Sequence, residues 1–316
     1  MRRVLLLGST GTIGFATARA LLATGYEVLT FGRNAPHLKG VEHITGDVTR
    51  DWPALPRFDA LISCLASRTG APADAWVVDH GANLRALAAA RVAEAQMFVL
   101  LSAICVQKPL LAFQFAKGAF ERELAASRLD YAIVRPTAYF KSLSGQVERV
   151  KAGRPFLVFG DGRITSTKPI SDEDLAAYLI TCLSDPDRRN RISPIGGPGP
   201  AITPLDQAQV LSHLLRREVK IRHAPVVVMN LAITALGVLA RASTKCAANA
   251  EFARIGRYYG TESMLVWDQM AGRYDADATP QTGRDTLFDH YERLLNGDAR
   301  TDLREHAVFK TAPREA

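Results

Sequence analysis

A chain of 316 residues and 34.4 kDa, 47% hydrophobic and 22% charged, has the composition of an ordinary globular protein, long enough for one large domain with an appended region. Its net charge of +7 is spread among acids with no Lys/Arg run, which argues against a nucleic-acid partner and suits anionic small molecules. Cys64, Cys105, Cys182 and Cys246 lack CxxC spacing, and the seven histidines lack HxH or HExxH spacing. The expectation is therefore a reducing compartment, no disulfide framework and no metal site.

Val4 to Leu7 is an apolar run suited to a central parallel strand covered on both faces. It begins almost at Met1, which leaves no room for a targeting peptide and favours a bacterial cytoplasmic protein. "GSTGTIG" follows, with Gly8, Gly11 and Gly14 at three-residue spacing ahead of a helix that stops at Gly25. The first glycine permits the tight turn, the second lets backbone approach a pyrophosphate, and the third lets helix pack on strand. Thr10, Thr12 and Ile13 lie within the same turn and helix start, where free N–H groups would meet phosphate. Nineteen residues after Gly14, where an acid would bond the 2′-hydroxyl of NAD, the chain has Arg33 and then Asn34. A guanidinium suits a 2′-phosphate instead, so the expected cofactor is NADPH.

Strand and helix patterns then alternate. "VEHITGDV" ends at Asp47 and Val48, "DALISCLAS" carries Cys64, Leu65 and Ala66 at its end, "MFVLLSAI" contains Ser102, and "DYAIVRPT" closes on Pro136 and Thr137. Helices are predicted over Ala73–Ala95 and Phe113–Ala126. This predicts an α/β fold with a doubly wound parallel sheet, whose ligand lies at the carboxyl ends of the strands; position makes all those strand-end residues cofactor candidates. Asp79 and Asn83 share one helix face, and Asn83 is placed to anchor the fourth strand or a water.

The alternation breaks after Gly153, giving expected regions of 1–153 for the cofactor and 154–316 for a smaller α+β substrate region. "PFLVFGDGRITS" reads as a hairpin around a GDG turn. "ISDEDLAAYLITCLSDP" and "TPLDQAQVLSHLLRR" read as helices capped by Ser171 with Asp174 and by Thr203 with Asp206. Val226–Ala240 is apolar over 15 residues but too short for the roughly 20 of a membrane span. It reads as a buried helix, with a flap over an apolar ligand or a membrane-surface contact as alternatives. "EFARIGRYYGTESM" offers Arg254, Arg257, Tyr258 and Tyr259 as cations and hydroxyls beside apolar surface; Glu251 could instead pair with Arg254, and Glu262 with Tyr258. Phe140 and Lys141, just past the sixth strand, join them as substrate candidates. The charged tail from Asn296 is expected to be loosely ordered.

These residues resemble the extended or atypical branch of the short-chain dehydrogenase/reductase superfamily, a Rossmann-fold group. "GSTGTIG" resembles its TGxxGxxG turn, Ser102 matches its active-site serine, and "FQFAK" occupies its YxxxK slot. The resemblance implies that Lys117 bonds the nicotinamide ribose, but Phe113 stands where the catalytic tyrosine would be. Loss of a positioned acid would cost carbonyl reduction about 10²–10⁴-fold. "FVLLSAICVQKPLLAFQFAKGAFERELAAS", "VRPTAYFKSLSGQ", "FGDGRITSTKPISDEDLA" and "EFARIGRYYGTESMLVWD" are more specific. They resemble the NADPH-dependent 8-vinyl reductases of divinyl (proto)chlorophyllide. That family implies hydride delivery to a vinyl group on a divinyl magnesium tetrapyrrole, whose ring delocalises the charge, with no metal or flavin in the protein. Water, Tyr139 or Tyr259 then remain open as the proton source, and Phe113 joins the substrate candidates as apolar surface. A non-catalytic NADP-binding assembly factor and a reductase of another conjugated alkene are the competing readings.

Arg33→Ala should raise the Michaelis constant for NADPH about tenfold or more, from losing roughly 1.5–3 kcal/mol of charged hydrogen bonding. Steady-state kinetics at varied NADPH check this, and an unchanged constant would show that Arg33 does not read the 2′-phosphate.

Overall fold

The computed structural model describes residues 2–239 and 244–298. β1 (Arg3–Leu7) leads through the glycine turn into α1 (Thr12–Ala23), β2 (Glu27–Gly32), β3 (Val41–Thr45) and β4 (Ala60–Ser63). α2 (Pro72–Ala75), a π-helical turn over Trp76–Ala82 and α3 (Asn83–Val92) replace the single helix expected from Ala73 to Ala95. β5 (Met97–Leu101), α4 (Ala112–Ala125) and β6 (Asp130–Pro136) follow. The chain then forms α5 (Phe140–Leu143), α6 (Val147–Lys151) and β7 (Phe156–Phe159) before α7 (Asp172–Ser184) and β8 (Arg191–Ile195).

Seven strands form one parallel sheet in the order β3-β2-β1-β4-β5-β6-β8. The apolar runs take its centre: Val4–Leu7 and Ala60–Ile62 are wholly buried, because helices cover both faces. Strand order reverses between β1 and β4, so their carboxyl ends flank the crevice where such sheets bind ligands. Residues up to Pro136 together with Asp172–Ile195 form one compact unit, while Thr137–Ser171 and the residues from Gly196 form the other. The division is thus discontinuous and does not fall at Gly153. A parallel strand beside β6 requires a crossover, and α7, which packs on α1, supplies it.

In the second unit, α8 (Pro204–Leu214) carries the expected cap: the Thr203 hydroxyl accepts from Asp206 N at 3.2 Å and Asp206 Oδ2 accepts from Thr203 N at 2.8 Å. β9 (Ile221–Ala224) pairs in parallel with β7, and this corrects the expected hairpin. Residues 163–166 form no strand; Gly160 and Gly162 take positive φ and turn the chain away, while β7 finds its partner more than sixty residues later. α9 (Val226–Leu239) packs along α10 (Thr244–Thr261), with Val227 and Leu231 about two-thirds exposed, so the apolar run is a helix but not a buried one. Its last residue, Ala240, lies outside the described residues, as do the side chain of Cys246 and the tail beyond 298. The β10 (Val266–Asp268) and β11 (Arg273–Asp275) hairpin and α11 (Leu287–Asn296) complete the unit. Phe156, Val158, Leu211 and Tyr291 fill its core, with the Tyr291 hydroxyl 2.8 Å from the Leu143 carbonyl.

A Cβ on Gly14 would sit 2.1 Å from the Gly8 carbonyl oxygen, whereas one on Gly256 would meet nothing within 4 Å. Gly14→Ala should therefore cost about 1–3 kcal/mol and lower the melting temperature by several degrees. Gly256→Ala, in a helix interior, should hold or raise it; circular dichroism melts of both variants make the comparison.

Candidate active site

The turn after β1 has the geometry a pyrophosphate needs. Gly8 adopts φ +74°, and a Cβ there would lie 2.5 Å from the Cys64 carbonyl oxygen at the end of β4. Gly11 N donates to Gly8 O at 3.0 Å and closes the turn, and Gly11 is the N-cap of α1 with no side chain satisfying the helix's first amides. The amides of the first turn, before Phe15 N bonds back to Gly11 O at 2.8 Å, are the donors a phosphate would take. Thr10, Gly11 and Thr12 are exposed, Ile13 and Gly14 buried, so one side of the turn is open and the other packed. The cradle fits a dinucleotide.

Arg33 and Asn34 are exposed just past β2. Asp47, beyond β3, accepts from the Thr49 backbone N–H at 2.9 Å and hydroxyl at 2.7 Å. These bonds, with Arg33 and Arg50 nearby, hold its carboxyl below the usual range. Val48 and Ala66 also lie on this edge, half-buried and exposed respectively, while Leu65 is buried in the core. The Cys64 thiol is pushed up to about 12 by burial, so it stays protonated.

Lys117 projects from α4 with only 9% of its surface exposed, and its Nζ lies 3.0 Å from Oδ1 of Asp79 on the π-helical turn. Asp79 is itself fixed: Ser67 N donates to its carboxylate at 3.3–3.4 Å, and its backbone carbonyl accepts from Asn83 Nδ2 at 3.0 Å. Asn83 Oδ1 in turn accepts from the Ser63 hydroxyl at 2.6 Å, which ties the turn to β4 as the shared helix face suggested. The Asp79–Lys117 pair was not foreseen. Both residues stood out alone, but nothing in local spacing links positions 38 apart.

Ser102 bonds a different carboxylate. Its hydroxyl donates at 2.5 Å to Glu121, one helical turn beyond Lys117 on α4, and Arg135 grips both oxygens of the same carboxylate. All three belong to a buried network under β5 and β6. Phe113 is half-buried, one turn before Lys117.

The remaining candidates lie in the second unit, apart from Pro136, which is buried at the end of β6. The Thr137 hydroxyl donates to the Lys168 carbonyl, Tyr139 precedes α5, and Lys141 is half-buried. Phe140 is a core residue, 3% exposed with its ring 5.4 Å from that of His290, so it is not available as a ligand wall. Tyr258 is likewise buried, against Tyr259, whose ring is half exposed. Arg254 pairs with Glu251 at 3.1 Å and Arg257 Nε donates to Asn230. Glu262 accepts from the Tyr274 hydroxyl at 2.6 Å.

A family model described as NAD(P)H-binding matches residues 8–186. The chain is 46% identical over 331 aligned positions to the chloroplastic divinyl chlorophyllide a 8-vinyl-reductase of Oryza sativa subsp. indica, covering 97% of this chain and 82% of that one. The chain belongs to the divinyl chlorophyllide a 8-vinyl-reductase family. A second kind of relative, the photosystem II assembly factor Ycf39 of Trieres chinensis, is 28% identical over 207 positions, or 61% of this chain. The likeness to the 8-vinyl-reductase thus covers nearly the whole chain, and the likeness to this assembly factor a smaller share at lower identity. Among solved structures, an Escherichia coli NADPH-dependent quinone oxidoreductase, QOR2, complexed with NADPH, superposes with a TM-score of 0.66 over 93% of this chain and 100% of that one. At 16% identity this shows the shared fold. The Rossmann architecture and a nicotinamide cofactor are accordingly features of this 8-vinyl-reductase relative.

Ser102→Ala should leave NADPH affinity unchanged and cost about 1 kcal/mol of stability. Glu121→Ala should cost roughly 3–5 kcal/mol by leaving the Arg135 guanidinium unpaired. Cofactor titration and thermal melts of the two variants separate these outcomes, and a large loss of affinity in Ser102→Ala would return the hydroxyl to the reaction.

Proposed function

We propose that the chain reduces the 8-vinyl group of a divinyl chlorophyllide or protochlorophyllide to ethyl with NADPH. The observation that carries this reading is the 46% identity to an 8-vinyl-reductase over 97% of the chain, together with a glycine cradle that fits a pyrophosphate. When bound, NADPH supplies a hydride to the alkene, and the charge left on the substrate spreads into the macrocycle.

The protein's part is to bind, orient and keep water away. The α1 amino terminus meets the pyrophosphate, Arg33 the 2′-phosphate and Lys117 the ribose. Phe113 offers no proton, and a delocalised carbanion asks for none from that position. Water, Tyr139 and Tyr259 are the candidates for the slow protonation that completes the ethyl group. Toward the propionate-bearing ring, Arg254 and Tyr259 support contact because about 46% of the side chain and residue respectively stays exposed. The setting we favour is the bacterial cytoplasm, with the amphiphilic pigment met at a membrane surface. Among the described residues no helix is long and apolar enough to cross a membrane, while the outward Val227 and Leu231 of α9 support surface contact.

Purified protein with NADPH should shift the Soret band of divinyl chlorophyllide to the blue in detergent solution; an unmoved band with both divinyl substrates would refute the reading. In the same assay Phe113→Tyr should change the rate by less than about threefold, since a proton donor there removes little of the barrier. Lys117→Ala should abolish turnover at ordinary NADPH concentrations.

A further inference from the structure

A buried ammonium is costly unless a countercharge and hydrogen bonds compensate it. Around Lys117 the choices are few. Phe113, one turn before it on α4, carries no polar atom, and Glu121, one turn after it, is committed to Ser102 and Arg135. Cys64 and Cys105 feel the Lys117 charge, but burial pushes their thiols up to about 12 and about 11, so neither is an anion at neutral pH. Asp79 is left, its side chain fully buried and its Oδ1 3.0 Å from Nζ.

The way Asp79 is presented is also specific. The π-helical turn widens the helix at Trp76–Ala82, and Asn83 Nδ2 reaches back to the carbonyls of Asp79 at 3.0 Å and Val78 at 3.5 Å. With Asn83 held by Ser63 on β4, the carboxylate is fixed relative to the strand end that borders the crevice. An ammonium has three donors. One goes to Asp79, which leaves the others for a ribose diol.

We propose that Asp79 is the positioning residue for Lys117, supplying the anionic partner that lets the lysine bind the cofactor ribose in a site without a tyrosine. This rests on the reading of Lys117 as the ribose ligand. It also explains why the tyrosine is dispensable: Lys117 is already neutralised, so a phenol restored at position 113 would gain little acidity from it.

The test is a double-mutant cycle read by NADPH binding, followed through the fluorescence of the bound dihydronicotinamide with no tetrapyrrole present. Asp79→Asn should weaken binding about tenfold, Lys117→Met at least as much, and the double variant no more than Lys117→Met alone, because Asp79 acts only through Lys117. Asp79→Glu should recover part of the loss. Melts of the cofactor-free proteins report folding; if Asp79→Asn is too unstable to titrate, Asp79→Leu combined with Lys117→Met removes both charges and, matching Lys117→Met in affinity, supports the proposal. Losses that multiply in the double variant, or parental affinity in Asp79→Asn, overturn it. Parental affinity in Lys117→Met overturns it together with the ribose reading, whereas a failed vinyl-reduction assay leaves these titrations standing.

Discussion

The approach of α1 to the end of β1 sets the geometry on which the rest depends. Gly8 and Gly14 touch backbone to backbone at a distance no side chain could share, and Gly8 in turn lies against the Cys64 carbonyl at the end of β4. Helix, first strand and fourth strand therefore meet at one point, and that point is where the strand order reverses. From it follow the amino terminus of α1, the crevice beside it and the edge on which Arg33, Asp47 and Ala66 lie. A single methyl group at either glycine would separate the elements that make the site.

Two polar networks then hold α4 against the sheet. The inner one, Ser102–Glu121–Arg135, joins a buried serine and carboxylate to a guanidinium that is partly exposed. The outer one runs Ser63–Asn83–Asp79–Lys117 and ends in a cation at the crevice. Both use side chains one turn apart on the same helix. Two different charged contacts thus leave α4 within a single turn, one to Asp79 and one to Ser102 and Arg135.

The parts of the fold written locally were readable. Val4–Leu7, the glycine trio and the Thr203 cap depend on neighbours within a few residues, and each takes its expected form. The parts that depend on distant partners were not. β7 pairs with a strand across more than sixty residues, so a GDG turn that looks like a hairpin is not one. Val226–Leu239 shows its helix in its sequence but not what covers it, because composition reports apolarity and not contact. Asp79 and Lys117 meet only through the packing of two helices, and the π-helical turn that aims Asp79 has no local signature.

The discontinuous course of the sheet also constrains how the chain can be made. β6 remains an open edge, with unpaired amides and carbonyls, until β8 docks beside it, and β8 ends at Ile195. A ribosome emitting about 5–20 residues per second must therefore extend the chain several seconds past Pro136 before that edge closes. During this interval thirty-five residues of the second unit, Thr137–Ser171, have already emerged without the rest of their core. The glycine turn, α1 and β2 lie within the first 32 residues, so they have emerged well before the sheet that carries them is sealed.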